Sequence, residues 1–171
     1  GQLGVDPTDH LRAVDKEKVV ALLNTGSVYR AACLYGMEKG AEGRQEKIEA
    51  ALSLFDGKLS LSKDGKEIFI DGRDVSSQIR EKEVSEKISE FSSIKEIRDL
   101  LNHFFRRQIA EAQKEHTGMV LEGRDTTTVI APKADLRLLL TASKAVRKER
   151  RRSMPDSPPP SRPRTSCQTN L

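Results

Sequence analysis

The apolar residues of this chain recur at helical spacing in four stretches. Intervals of three or four residues predict amphipathic helices, each with one buried face. The four sets are Val28, Ala31, Ala32 and Tyr35; Ile48, Ala51, Leu52 and Phe55; Val84, Ile88 and Phe91; and Ile94, Ile97, Leu101 and Phe104, continued by Gln108. Two further helices are expected, from Asp6 to about Lys16 and from about Ser143 onward.

Between the second and third of these stretches, apolar and polar residues alternate instead. Residues 58–62 and 67–70 flank a turn at Asp64 and Gly65, and a second turn follows at Asp71 and Gly72. Alternating residues on either side of a tight turn predict a β-hairpin.

Three short apolar runs end in turn-forming residues and are typical of buried parallel strands. They are residues 19–23, Met119–Glu122 and residues 136–140. The first run could instead finish the preceding helix. We prefer the strand, because residues 24–26 then form a strand-to-helix turn.

Composition and charge narrow the class of protein. The 171 residues are 36% hydrophobic and 4% aromatic, which predicts one domain with a modest core. A net charge of +4 of mixed sign does not require a nucleic-acid partner. No membrane-length apolar run or signal peptide is visible, so a cytoplasmic protein is expected. The two cysteines match no metal or disulfide spacing, and no metal site is predicted.

Residues 153–171 differ in character from the rest of the chain. They are rich in Pro, Ser, Thr and Arg and carry almost no apolar side chains. Such a segment cannot form a packed core, so a disordered tail is predicted.

The first candidate for chemistry lies where the helix at Thr25 begins. The helix N-terminus can bind phosphate, Tyr29 offers a flat face for a base, and Arg30 offers a two-pronged grip on phosphate. The same residues are equally consistent with a capped helix that carries a core tyrosine and a surface arginine.

Three segments in order carry a resemblance to a known family. They are residues 24–30, residues 123–132, and residues 136–143 running into Arg150 and Arg151. Together they resemble the cytidylate kinases, which phosphorylate CMP and dCMP from ATP. The resemblance covers residues 24 to about 152. It implies an α/β P-loop nucleoside-monophosphate-kinase fold, with flanking helices and a small inserted hairpin subdomain at about 57–92 in a domain spanning 1–152.

The resemblance also implies a site for the acceptor nucleotide. Thr25, Arg30 and Arg124 would hold the monophosphate of CMP, and Tyr29 would pack near the base. The residues that would read cytosine are Ser89, Arg98 and Asp125. Without the resemblance, Ser89 and Arg98 would be ordinary polar positions on exposed helices. Thr127 stands where the family usually has Gly, which puts the positioning of the adjacent Arg124 and Asp125 in question.

The site for ATP and Mg²⁺ is expected to be degenerate. Gly1, Gly4 and Thr8 keep the P-loop spacing, but Asp6 replaces its last Gly and Pro7 stands where its Lys should be. Pro7 removes both a cation and a backbone donor, while Asp6 repels phosphate. Alternatively, residues 1 to about 18 are not homologous to the P-loop region at all.

The lid is expected to be incomplete as well. Residues 144–152 form a basic run, in which Arg150 and Arg151 would join Arg124 as catalytic arginines by resemblance. The family's further lid arginines and final strand are not found, nor is its central strand, so an incomplete sheet is expected. The basic run can equally be a solvated helix end or a nonspecific anion patch.

The expected function is therefore that of a cytidylate kinase, disrupted at both ends and impaired in catalysis. It would be monomeric if folded, act on CMP and dCMP, and contact neither membranes nor nucleic acid. The alternatives are a non-catalytic CMP-binding or interaction protein, and a basic RNA-binding fragment.

Overall fold

The computed structural model describes residues 21–62, 65–114 and 118–153, with side chains to residue 150. The chain divides into two compact units, Gly1–Leu138 and Leu139–Leu171. The predicted helix at residues 6–16, the P-loop window and the proline-rich tail lie outside the described residues. The predicted domain boundary at residue 152 and the insert limits stay predictions.

The first unit contains a sheet of two parallel strands. Strand β1 is Ala21–Asn24, and strand β5 is Met119–Glu122. Their register pairs Ala21 with Met119 and Asn24 with Glu122. The parallel sheet with flanking helices confirms the predicted α/β class, and the described sheet has these two strands alone.

Helices α1 and α2 follow β1 as the apolar pattern predicts. Helix α1, Thr25–Glu38, begins where the Asn24 side-chain oxygen accepts a hydrogen bond from the Ser27 amide at 2.9 Å. Helix α2 spans Arg44–Phe55. The first predicted stripe is wholly buried, whereas Leu52 of the second is 51% exposed.

The insert is a three-stranded antiparallel sheet, one strand more than the predicted hairpin. Strands β2, β3 and β4 are Leu59–Leu61, Ile68–Ile70 and Arg73–Asp74. Asp71 and Gly72, with φ of 50° and 77°, form the turn between β3 and β4. Two consecutive left-handed residues suit the tight hairpin turn predicted there. Two residues of β4 are too few to show a sequence period.

Two helices complete the core after a short 3₁₀ turn at Gln78–Arg80. Helix α3 is Lys82–Ser93, and helix α4 is Lys95–Lys114. Fully buried side chains from α2 and α4, including Leu54, Ile97, Leu101 and Phe105, pack among those of α1. This helical layer fixes α4 relative to α1, which positions the candidate site.

The prediction of a buried strand at residues 136–140 is wrong. This stretch is not a strand, and its leucines are exposed, with Leu138 at 70% and Leu140 at 94%. A parallel strand becomes buried only when a neighbouring strand pairs with it. No strand in the described part of the chain pairs with this run, so its apolar sequence does not produce a strand.

The second unit contains helix α5, Lys144–Ser153. It confirms the helix predicted from about Ser143. No helix in the described ranges combines the length and the apolar character that a membrane span requires.

Candidate functional site

The candidate site lies at the carboxyl ends of β1 and β5. Because these strands are parallel and in register at Asn24 and Glu122, the segments that follow them leave the sheet side by side. One is the start of α1, and the other is Gly123-Arg124-Asp125. In open α/β sheets, ligands bind at this edge.

Two hydrogen bonds hold these segments together. The Asn24 side-chain amide donates to the Glu122 carboxylate at 3.1 Å, and the Thr25 hydroxyl donates to the Glu122 carbonyl at 3.0 Å. A side chain at Gly123 would place its Cβ 2.0 Å from the Thr25 hydroxyl oxygen. Thr25 is 5% exposed, so in this structure it joins α1 to the loop after β5. Its predicted contact with phosphate stays a prediction.

Tyr29 lies one turn into α1 and is half-buried. Its ring centroid is 6.2 Å from that of Phe105 on α4. Burial raises the pKa of the Tyr29 phenol, and the negative charge of Asp125 raises it further, while the guanidinium of Arg98 opposes both. The charges of Asp125 and Arg98 therefore both act on the Tyr29 phenol. The role of these three residues at the base stays a prediction.

Arg30 of α1 reaches the 3₁₀ turn and the first turns of α3. Its Nη1 donates to the Ile79 carbonyl at 3.1 Å and to the Ser85 hydroxyl at 2.9 Å. Both bonds use one nitrogen of a group with five N–H donors. The side chain is thus held at the site with further donors available for an anion. Ser85 is an exposed serine in the first turns of α3, and the sequence analysis assigned it no role of its own.

Ser89 and Arg98 lie on either side of the α3–α4 junction. Ser89 is exposed on α3. Arg98 Nη1 donates to the carbonyls of Ser92 and Ser93 at 3.3 and 3.1 Å, which satisfies carbonyl groups at the end of α3. These bonds fix where Arg98 projects from α4.

Arg124 and Asp125 are exposed and are followed directly by a π-helical turn, Thr126–Ile130. Asp71 is the one non-glycine residue in the described ranges with positive φ. Thr127 therefore adopts ordinary backbone geometry, and a Gly is not required there for a left-handed conformation. Arg106 of α4 donates to the Val129 carbonyl at 2.9 Å, a contact that sequence spacing did not reveal.

The structure describes the predicted donor half only in part. Gly1, Gly4 and Thr8 lie outside the described residues. Arg150 and Arg151 lie on α5, which belongs to the second unit. Among the described residues, no three His, Cys, Asp or Glu side chains form a group that could hold a metal ion. In the predicted P-loop window, Asp6 and Pro7 do not fit the phosphates of ATP.

The two tyrosines of the chain should titrate in opposite directions from their ordinary pKa. Hydrogen bonds from Lys58 and Ser53 lower the pKa of Tyr35, whereas burial and Asp125 raise that of Tyr29. Ultraviolet titration of the phenolates should show two steps. Lys58→Met should move the lower step upward, and Asp125→Asn should move the upper step downward. A single step in the wild type would contradict the described environments.

Comparison with known proteins places the sequence in a family. The sequence profile of the family described as Cytidylate kinase matches residues 11–157. A cytidylate kinase of Chlorobaculum tepidum is 35% identical over 129 residues, which is 75% of this chain and 53% of that protein. One of Caldanaerobacter subterraneus is 37% identical over 131 residues, or 75% and 54% of the two chains.

A third relative aligns over a longer stretch. The cytidylate kinase of Cutibacterium acnes is 33% identical over 156 residues, 90% of this chain and 68% of that protein. The chain spans about half the length of the first two relatives. The match extends through β1, the insert, α4 and the loop after β5. By its sequence, the chain belongs to the cytidylate kinase family.

Proposed function

We propose that the site at the carboxyl ends of β1 and β5 binds CMP or dCMP as a phosphoryl acceptor. One arrangement carries the proposal: hydrogen bonds from Asn24 and Thr25 to Glu122 hold the start of α1, which carries Tyr29, beside the loop that carries Asp125. Tyr29 also packs against Phe105 of α4, the helix that carries Arg98. Membership of the family supports a nucleoside-monophosphate-kinase role in general. The choice of cytosine rests on this set of side chains.

The chemistry of the set matches cytosine. Cytosine presents a donor amine at N4 and acceptors at N3 and O2. The Asp125 carboxylate can accept from the amine, and the guanidinium of Arg98 and the hydroxyl of Ser89 can donate to the acceptors. Uracil reverses the pattern at positions 3 and 4. It would face Asp125 with an acceptor and leave polar groups unpaired, which lowers affinity.

The phosphate of the nucleotide would be held by arginines. Arg30 lies at the start of α1, and Arg124 follows the neighbouring strand. Guanidinium groups bind phosphate through paired N–H donors. In the parent reaction such groups neutralise charge and orient the acceptor oxygen toward the group being transferred.

We propose further that this polypeptide binds the acceptor without efficient turnover. ATP and Mg²⁺ would supply the phosphoryl group and charge neutralisation in the parent reaction. In the proposed P-loop window, Asp6 and Pro7 do not fit the phosphates of ATP. The protein then acts as a CMP-binding member of a kinase family.

Calorimetry with CMP, UMP, AMP and GMP tests the proposal. CMP should bind best, by about tenfold or more over UMP, because unpaired polar groups cost on the order of 1–3 kcal/mol. Asp125→Ala should remove most of this preference. Asp135→Ala is the matched control, since Asp135 is also exposed and follows in the same stretch of chain. Equal affinity for the four nucleotides would contradict selective recognition of cytosine.

A second function is favoured by α5 alone. Lys144, Arg147 and Lys148 are exposed on this helix, and they could bind the phosphates of RNA. Such binding would weaken steeply with salt and would not depend on Asp125. Affinity for RNA of any sequence, without affinity for CMP, would favour this reading.

A further inference from the structure

Arg106 of α4 makes a hydrogen bond to the loop carrying Arg124 and Asp125. Its Nη2 donates to the Val129 carbonyl at 2.9 Å across 23 residues of sequence. A hydrogen bond from a charged donor is stronger than one between neutral groups. The contact therefore ties the far end of the loop to the helical layer.

The loop transmits this restraint to Asp125 through its own hydrogen bonds. The amides of Val129 and Ile130 both donate to the Asp125 carbonyl, at 2.9 and 3.1 Å, and the Ala131 amide donates to the Thr126 carbonyl at 2.8 Å. Thr126 and Ile130 are 8% and 5% exposed. Val129 and Asp125 thus belong to one closed turn with buried anchors, and fixing one end fixes the other.

Helix α4 also determines the position of the other base-contacting groups. Phe105, next to Arg106, packs against Tyr29, and Arg98 projects from the same helix toward the end of α3. Leu101 and Phe105 are fully buried, which makes α4 a rigid reference. Helix α4 therefore fixes the positions of Tyr29 and Arg98 directly. It fixes the position of Asp125 through Arg106.

We propose that Arg106 is a positioning residue for cytidylate recognition. It acts through the Val129 carbonyl on Asp125, without touching the nucleotide. The inference rests on the proposed function, because it assigns Arg106 a role at the same site. Replacing the guanidinium should loosen the turn and misplace the carboxylate, while the strands and helices stay folded.

The test combines hydrogen exchange and calorimetry on the full chain, with CMP as the ligand. In Arg106→Met, amides of residues 127–131 should exchange about tenfold faster, since loss of a charge-assisted bond lowers the local opening energy. CMP affinity should fall by about tenfold. Arg106→Lys, which keeps one charged donor, should give an intermediate loss.

Arg107→Met is the matched control. Arg107 is the next residue of α4 and is also exposed, but it lies over the Phe104 ring at 5.9 Å and pairs with Glu111 at 3.7 Å. Arg107→Met should leave the exchange rates and the CMP affinity within about twofold of the wild type, as expected for a surface substitution.

The outcomes separate the two proposals. Unchanged exchange in Arg106→Met, or faster exchange with unchanged CMP affinity, would overturn the positioning role while leaving the proposed function intact. A wild type that binds no CMP would overturn the proposed function and the role of Arg106 in recognition together. In that case, exchange would still report whether Arg106 restrains the turn.

Discussion

The 171-residue polypeptide is expected to show no measurable CMP-dependent release of ADP from Mg-ATP. In the proposed P-loop window, Pro7 stands where the motif has its lysine, and Asp6 adds a negative charge beside it. Losing one strong transition-state charge contact costs about two to four kcal/mol, or two to three decades in rate. When catalytic groups act as a unit, loss of one group removes most of the effect of the others. A coupled ADP-release assay measures the effect.

Repair of the P-loop residues alone should not restore activity. The double variant Asp6→Gly with Pro7→Lys returns the motif, but the parallel sheet in the described part of the chain still has two strands, and the incomplete lid predicted from the sequence remains. Activity should therefore remain at background. Robust turnover by the unmodified polypeptide would show that the donor site has been misread, and rescue by the double variant would show that the P-loop is its one defect.

Gly123→Ala should cause the largest loss of stability of any single methyl addition at the site. Its Cβ would meet the Thr25 hydroxyl oxygen at 2.0 Å, and that hydroxyl is fixed by its bond to the Glu122 carbonyl. The start of α1 and the loop after β5 would have to separate. Overpacking of this kind costs about 1–3 kcal/mol. Chemical denaturation measures it, and CMP affinity should fall in parallel.

Gly43→Ala is the control for this substitution. Its nearest atom would be the Glu46 side chain at 3.6 Å, an ordinary contact. A second check is Thr25→Ala, which removes the clashing hydroxyl. In the Gly123→Ala background it should recover part of the lost stability, so the double-mutant cycle should not be additive. Equal stability of Gly123→Ala and Gly43→Ala would contradict the described contact.

The helices were predictable because long periodic patterns reflect burial directly. Val28, Ala31 and Ala32 repeat at helical spacing and are buried, and α4 follows its apolar stripe in the same way. The turn at Asp71 and Gly72 was predictable because few residues adopt positive φ easily. Leu52 is exposed although it belongs to an apolar stripe, because tertiary packing decides which face of a helix is covered, and helical spacing alone does not.

The exposed leucines show where local pattern stops being sufficient. An apolar run such as residues 136–140 indicates a strand only if another strand pairs with it, and pairing is a property of the whole fold. Contacts such as Arg106 with Val129 and Arg30 with Ser85 join residues 23 and 55 positions apart. Neither carries a local signal. The candidate residues came from the resemblance, while the interactions that hold them came from the structure.

The most direct test of the central claim is to observe where CMP binds. In ¹⁵N NMR titrations of the full chain, CMP should shift the amides of residues 24–30, 89–98 and 123–131. UMP at the same concentration should shift them much less, and Lys144–Ser153 of α5 should not move. Shifts confined to α5, or identical shifts with CMP and UMP, would contradict a cytidylate-binding site at the ends of β1 and β5.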